Sequence, residues 1–303
     1  MTGTPIVRTH GLTKRYGSTV ALRDLDLEVE RGEVFGYLGP NGAGKTTTLR
    51  LLLGLLRPTA GSAQINGLDT WRQSVDVKRD VGYLSGEPAL YGRLTGAQHV
   101  DYLSHLRRQD CEAAARRYAQ RLALDLDRPA RELSKGNRQK LALVLALMPE
   151  PELLVLDEPT GGLDPLAQQE FYAILREHTA VGRSVLLSSH VLSEVQRVAD
   201  RVGVLREGRL VAVDRLDHLR ERSLHHVHAT FADRVDASLF AGIPGLRDLR
   251  VEDHSVSCSA PESSLDALLK EAATHTVLDF ACAEAELEET FLAYYEKEVA
   301  HAP

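Results

Sequence analysis

Cysteine is scarce in this 303-residue chain, and so is any long apolar run. Cys111, Cys258 and Cys282 are odd in number, widely spaced and form no C-x-x-C, which argues against a disulfide framework and fits reduced, structural thiols. The longest apolar run, Leu141 to Met148, is far short of the roughly 20 residues needed to span a bilayer. The N-terminus lacks the basic-then-apolar order of a signal peptide. A cytoplasmic protein is expected, one that reaches a membrane only on a partner. Positive charge is in deficit: 36 Lys and Arg stand against 43 Asp and Glu, a net charge of −7, which argues against a nucleic-acid-binding surface. What remains is ordinary globular composition, 43% hydrophobic and 26% charged, in a length that suits one large domain or two smaller ones.

Glycine, by contrast, is concentrated where it matters most. Residues 39 to 46, Gly-Pro-Asn-Gly-Ala-Gly-Lys-Thr, lie between an apolar run, Val34 to Leu38, and a leucine-rich stretch, Leu49 to Leu56. This is the pattern of a phosphate-binding loop. Gly39, Gly42 and Gly44 let the backbone turn with its N–H groups inward, and a helix starting near Lys45 adds the positive end of its dipole. Lys45 reaches the β- and γ-phosphates as a point charge, while the Thr46 hydroxyl is placed to ligate the bridging Mg²⁺. A Gly-rich turn capping a core helix would account for the leucines but not for Lys45 beside Thr46.

Further motifs follow in order. Residues 6 to 38 read as β structure, with Leu25, Leu27 and Val29 alternating and Arg31-Gly32 turning into the strand that delivers the loop. Tyr16, in Lys14-Arg15-Tyr16-Gly17, reads either as an exposed turn tyrosine or as a platform for a nucleotide base. From about 89 to 134 the character is helical: His99, Tyr102, Leu103 and Leu106 share one face, as do Ala115, Tyr118, Ala119 and Leu122. Leu133-Ser134-Lys135-Gly136-Asn137 ends this insert, and Ser134 and Asn137 by themselves read as helix caps. Leu153 to Leu156 is a continuous apolar strand, hence part of a parallel sheet covered on both faces, and it ends in Asp157 and Glu158. Ligands of such sheets bind at the carboxyl ends of strands. Because neighbouring strand residues point to opposite sides, separate roles are expected, Asp157 toward Mg²⁺ and Glu158 toward an attacking water. Gly161-Gly162-Leu163-Asp164-Pro165 is a turn, and a second apolar strand, Ser184 to Ser189, leads to His190, either a polar cap or a group within reach of a γ-phosphate. Val202 to Leu205 and Leu210 to Val213 flank Glu207-Gly208 as a hairpin.

In this order the motifs resemble the nucleotide-binding subunit of ATP-binding-cassette (ABC) transporters over residues 5 to 213. Gly39, Pro40, Asn41, Gly42, Ala43, Gly44, Lys45 and Thr46 resemble the Walker A motif, with Thr47 following, and Leu153 to Glu158 the Walker B. Leu133 to Asn137 is similar to the family signature, Gly162 to Asp164 to the D-loop, His190 to the switch histidine and Tyr16 to the base-stacking aromatic. The resemblance implies an α/β P-loop NTPase core with an antiparallel β subdomain and a helical insert. It also implies ATP and Mg²⁺ as ligands and a head-to-tail homodimer in which Ser134 and Gly136 bind the γ-phosphate held by the other copy. Glu158 would be the general base, with His190 positioning phosphate and water, and Asp164 would belong to the nucleotide site. Two departures stand out. Where the family usually has Gln the chain has Gly86 followed by Glu87: either Glu87 takes over after a one-residue shift or the site works without that contact, and Gly86 is expected to loosen coupling without abolishing hydrolysis; the signature reads Leu-Ser-Lys-Gly-Asn rather than Leu-Ser-Gly-Gly-Gln. The Lys135 to Lys140 run, the segment Tyr83 to Tyr91 and Leu287-Glu288-Glu289-Thr290-Phe291-Leu292 resemble bacterial drug and polyketide exporter ATPases, whose membrane-spanning permease is a separate chain.

The domain expectation is a nucleotide-binding domain over 1–213 with its helical subdomain near 87–137, a charged, helical linker over 214–224 and an accessory domain over 225–303. The last reads β-α-β-β-α-β, which fits a small ferredoxin-like α+β unit, followed by an amphipathic helix over Leu287 to Tyr295. His225, His226 and His228 have no accompanying Cys or carboxylate cluster, so a dimer-bracing or regulatory role is the stronger expectation than a metal site. Two rival functions weigh less. A soluble cassette ATPase of DNA repair or translation lacks the long coiled coil or second cassette it needs, and a drug-binding self-resistance protein that does not pump leaves Asp157, Glu158 and His190 without a purpose.

Overall fold

A computed structural model describes residues 4–221 and 224–284, and the chain divides into two compact units, Met1–Asp214 and Arg215–Pro303. The predicted helix over Leu287 to Tyr295 lies outside the described residues.

The first unit opens with β1 (Val7–Tyr16), β2 (Thr19–Leu25), β3 (Glu28–Val29) and β4 (Val34–Leu38), the β-rich entry expected from the alternation of Leu25, Leu27 and Val29. The phosphate loop follows, then α1 (Lys45–Leu52), β5 (Ala60–Ile65), β6 (Leu68–Asp69), α2 (Ser74–Arg79) and β7 (Val81–Leu84). A helical stretch holds α3 (Gly96–Arg107), α4 (Glu112–Arg121) and α5 (Lys135–Leu147). Next come β8 (Leu153–Asp157), α6 (Pro165–Ala180), β9 (Ser184–Ser189), α7 (Leu192–Gln196), β10 (Arg201–Arg206) and β11 (Arg209–Arg215). Two sheets result. One is antiparallel, in the order β2-β1-β5-β6 with β3 also on β1. The other runs β11-β10-β4-β9-β8-β7, with every pairing from β10 to β7 parallel.

Every residue of β4, β8 and β9 is buried, as parallel strands covered on both faces must be. Phe35, Tyr37, Leu49, Leu52, Leu153 and Leu186 belong to one core cluster with residues of the antiparallel sheet. Gly36 marks the tightest approach: a Cβ there would fall 2.1 Å from Val195 Cγ1, so α7 packs directly on the β4 backbone.

The two helical stripes have different fates. Ala115, Tyr118, Ala119 and Leu122 are all buried. In α3, however, His99 and Val100 are buried while Tyr102 and Leu106 are 46% and 68% exposed. The helix is fastened at its ends: Thr95 forms a capping box with Gln98, His99 Nε2 accepts the Tyr91 N–H (3.0 Å), and the Arg107 guanidinium donates to the carbonyls of Arg79 (3.2 Å) and Val81 (2.7 Å). Periodicity tells which residues share a face, not whether anything covers it.

In the second unit the strand-to-strand chain begins with α8 (Leu216–Glu221), so the segment expected as a helical linker over 214–224 is shared among the end of β11, this helix and the start of β12 (Leu224–Phe231). There follow α9 (Ser238–Ala241), β13 (Arg247–Glu252), β14 (Ser255–Pro261), α10 (Glu262–Ala272) and β15 (Val277–Glu284), with sheet order β13-β14-β12-β15. The pairings of β12 with β14 and β15, and of β13 with β14, are antiparallel. Val227, Ala229 and Phe231 on β12 are buried with Val256, Leu268 and Ala272, while His226 and His228 are exposed. Among the described residues no group of three or more His, Cys, Asp or Glu is arranged to hold a metal ion.

One buried group makes the fold sensitive to acid. His178, in the last turn of α6, is 4% exposed and its Nε2 has no hydrogen-bond partner among the described residues. Burial, helped by the charge of Arg183, pushes its pKa down to about 4. The folded chain therefore keeps the imidazole neutral where an unfolded chain would protonate it near pH 6.5. This stability is complete above that value and is lost as pH falls toward 4, by about 2 kcal/mol between pH 7 and pH 5. Urea unfolding at the two pH values should show His178→Leu losing less stability on acidification than the unaltered protein by that amount; equal losses would exclude His178 as the acid-sensitive group.

Candidate functional site

The phosphate-type loop leaves β4 at Gly39 and enters α1 at Lys45. Two of its glycines are required by packing: a Cβ at Gly39 would lie 2.4 Å from the Leu205 carbonyl oxygen and one at Gly44 would lie 2.6 Å from that of Ala21. Gly42 has open space around it but holds φ +82°, where an L side chain is strained. Lys45 is 6% exposed, and its Nζ donates to the carbonyls of Gly39 (2.6 Å) and Pro40 (3.3 Å). The loop thus curls around the ammonium. Pro40 and Asn41 are exposed, Thr47 is half-buried, and Ala43 is buried with its carbonyl accepting the Gly208 N–H (2.9 Å).

The parallel register brings the other groups to this loop. Leu38 stands opposite Ser189 and Asp157 opposite Ser188, so β4, β9 and β8 end together. Asp157, 2% exposed, accepts from Thr46 Oγ1 on Oδ2 (2.8 Å) and from Ser188 Oγ on Oδ1 (2.6 Å). Glu158 corrects one expectation. It is not the next pleat of the strand: β8 stops at Asp157, and Glu158 turns back at φ +50°. Its two oxygens therefore face different partners, Oε1 lying 3.3 Å from Lys45 Nζ and Oε2 2.8 Å from His190 Nδ1. The two carboxylates still serve different neighbours, as expected, but a left-handed turn separates them rather than strand alternation.

Thr46 and Asp157 offer hard oxygen donors side by side, the set that Mg²⁺ takes. Lys45 and a turn of left-handed glycine beside it suit a polyphosphate. The residues present therefore fit both groups. Beside them, the three atoms nearest to a Cβ added at Gly86 all belong to Asp157, at 3.6 to 3.8 Å, so the position faces that residue but has no side chain to reach it. Glu87 follows, lining a cavity of about 340 Å³ with Asn41, Lys135, Arg138, Glu158 and His190. A larger cavity, about 630 Å³, lies between α3 and α4 and touches none of these groups.

Lys45, Thr46, Asp157, Glu158 and His190 are thus brought together, and other expected residues are engaged elsewhere. Tyr16 ends β1, 48% exposed, with the Lys14 ammonium 5.1 Å from its ring centre. Ser134 caps α5, its Oγ accepting the Asn137 N–H (3.2 Å). Gly136 has a reason within this chain: a Cβ there would lie 2.6 Å from the Gly162 carbonyl oxygen. Asp164 caps α6 by accepting the Ala167 N–H (2.9 Å) and pairs with Lys140 (3.1 Å); these two contacts hold its carboxyl below the ordinary range. Three residues escaped the sequence reading. Gln139, buried in α5, donates to the Pro159 carbonyl (2.9 Å), Lys140 reaches Asp164, and Ser188 bonds Asp157. Only Ser188 left a signal, a hydroxyl that with Ser189 follows the apolar Val185 to Leu187 of its strand.

Comparison with known proteins agrees with this geometry. The family described as "ABC transporter" matches residues 22–161. The daunorubicin resistance ATP-binding protein DrrA3 of Streptomyces coeruleorubidus is 40% identical over 238 residues, 77% of this chain and 73% of that protein. The bacitracin transport ATP-binding protein BcrA of Bacillus licheniformis is 33% identical over 238 residues, 77% of each chain. A solved structure of an ATP binding subunit of an ABC transporter is similar with a TM-score of 0.66 and 33% identity, covering 72% of this chain and 92% of that one. With whole-cassette relatives of this identity and a P-loop site of this construction, the chain belongs to the ATP-binding ATPase proteins of the ABC transporter family.

Proposed function

We propose that this protein hydrolyses Mg²⁺-bound ATP as the motor of a bacterial exporter of drugs or other small hydrophobic compounds, acting as a head-to-tail homodimer on the cytoplasmic face of a separate permease. The observation that carries the chemistry is the Glu158 carboxylate held between Lys45 and His190, beside the Asp157–Thr46 pair. Bound phosphate oxygens take Lys45 Nζ from the loop carbonyls, and the turned-back Glu158 is left as the carboxylate that accepts the proton of an attacking water. His190 donates Nδ1–H to Glu158 Oε2, which fixes the ring beside the place of the γ-phosphate. Thr46 and Asp157 would hold Mg²⁺, which would supply charge neutralisation on the phosphate chain.

Dimer formation is supported by how the signature residues are engaged in this chain: Ser134 Oγ caps its own helix and Gly136 packs on Gly162, and in the head-to-tail arrangement they meet the ATP held by the second copy. Export is supported by likeness to the bacitracin and daunorubicin proteins. A permease is supported by exposed apolar groups: Leu55, Tyr91, Tyr102 and Leu106 are 46 to 68% exposed near a groove of about 380 Å³ lined by Leu53, Tyr83, Ser85, Pro88, Leu90 and Leu103. No helix of the described residues is long and apolar enough to cross a membrane.

Three measurements follow. Glu158→Gln should lower ATP turnover by about 10² to 10⁴-fold while ATP binding persists and the dimer accumulates in size-exclusion chromatography; full turnover would remove Glu158 as the base. Gly86→Gln, at a position where a Cβ meets only ordinary van der Waals contacts, should change the Mg²⁺ concentration for half-maximal ATPase rate by on the order of tenfold and tighten coupling to transport. If both stay unchanged, the missing side chain has no consequence. Purification from detergent-solubilised host membranes should recover a multi-span partner in stoichiometric amount, and recovery with soluble partners alone would favour a non-transport ATPase.

A further inference from the structure

We infer that Ser188 is a positioning residue: its hydroxyl sets the orientation of Asp157 for metal binding and at the same time holds the backbone turn that aims Glu158. This rests on the ATP-hydrolysing reading of the site. Ser188 is 0% exposed and stands opposite Asp157 in the parallel register of β8 and β9. A serine hydroxyl has a single proton to donate, and here it goes to Asp157 Oδ1 at 2.6 Å. Its oxygen also accepts from the Glu158 N–H (3.3 Å), which the Ser188 carbonyl shares at 3.1 Å.

The consequence for Asp157 is directional. With Oδ1 committed to Ser188, the other oxygen, Oδ2, is kept on the side of Thr46, 2.8 Å from its hydroxyl. A cation ligated by Thr46 then meets an oxygen already in place, and no rotation of the carboxylate is needed when it binds. The consequence for Glu158 is conformational. Its φ of +50° is unfavourable for a side chain of that size, and the two acceptors on Ser188 hold the amide that begins the turn. Removing the hydroxyl leaves Oδ1 buried without that donor and frees the carboxylate to turn.

The same strand provides a control. Ser189 is equally buried, but its hydroxyl donates to Glu194 Oε2 (2.9 Å) and accepts the Val191 N–H (3.0 Å), away from Asp157. Loss of either hydroxyl removes a buried hydrogen bond from β9, and only one of them touches the metal side.

The test is Mn²⁺ binding to the full chain in the presence of ADP, followed by electron paramagnetic resonance, alongside binding of fluorescent ADP in EDTA. Ser188→Ala should weaken Mn²⁺ by about 10- to 100-fold and leave metal-free ADP binding unaltered. Ser189→Ala should leave both unaltered, and Ser188→Thr, which keeps the hydroxyl, should recover most of the Mn²⁺ affinity. Unchanged Mn²⁺ affinity in Ser188→Ala, or an equal loss in Ser189→Ala, would overturn the role. An unaltered protein that binds ADP neither with nor without metal would overturn the nucleotide reading itself, and the role with it.

Discussion

The register of the parallel strands is the constraint on which the rest of the site depends. Leu38 beside Ser189 and Ser188 beside Asp157 make three strands stop along one edge, so a glycine loop, a histidine and two carboxylates converge from positions far apart in the chain. Burial enforces this register. With β4, β8 and β9 covered on both faces, a slip by one residue would part Ser188 from Asp157 and leave buried polar groups without their partners, at about 1 to 3 kcal/mol each.

Charge is balanced locally at that edge. Lys45 is almost wholly buried, and it is tolerated because two carbonyls and the Glu158 carboxylate surround it. Asp157 is buried with a hydroxyl on each oxygen. Such groups are pre-arranged for phosphate and a divalent cation, since the partners they hold now are the ones a ligand displaces or joins. The loop after Glu158 is held from the other side by α5: Gln139 bonds Pro159, Lys140 pairs with Asp164, and Gly136 lets the helix backbone approach Gly162. Movement of α5 therefore moves the segment that carries Glu158. In the proposed dimer, contact of this helix with a second copy would thereby be felt at its own chain's carboxylate.

The surface follows a different rule from the core. Tyr102 and Leu106 obey helical periodicity and yet are exposed, while Tyr102 packs edge-on against Tyr91 with ring centres 5.8 Å apart. Among the described residues this part of the amphipathic stripe is not covered, and under the proposed function it is where a partner docks.

The linear order of residues was enough to mark the phosphate loop, because Gly42 and Gly44 at left-handed backbone positions followed by Lys45 and Thr46 are a local arrangement. It was enough for β8 and β9 as well, since unbroken apolar runs mean burial on both faces wherever they lie. Side-chain partners across strands are set by register, a long-range property that periodicity does not encode. So Ser188 on Asp157, the left-handed turn of Glu158 and the close approach of Gly136 to Gly162 emerged only when β9 was laid beside β8 and α5 beside the loop. The same holds for α3, where spacing named the face and only packing decided that His99 and Val100 are buried while Tyr102 and Leu106 stay exposed.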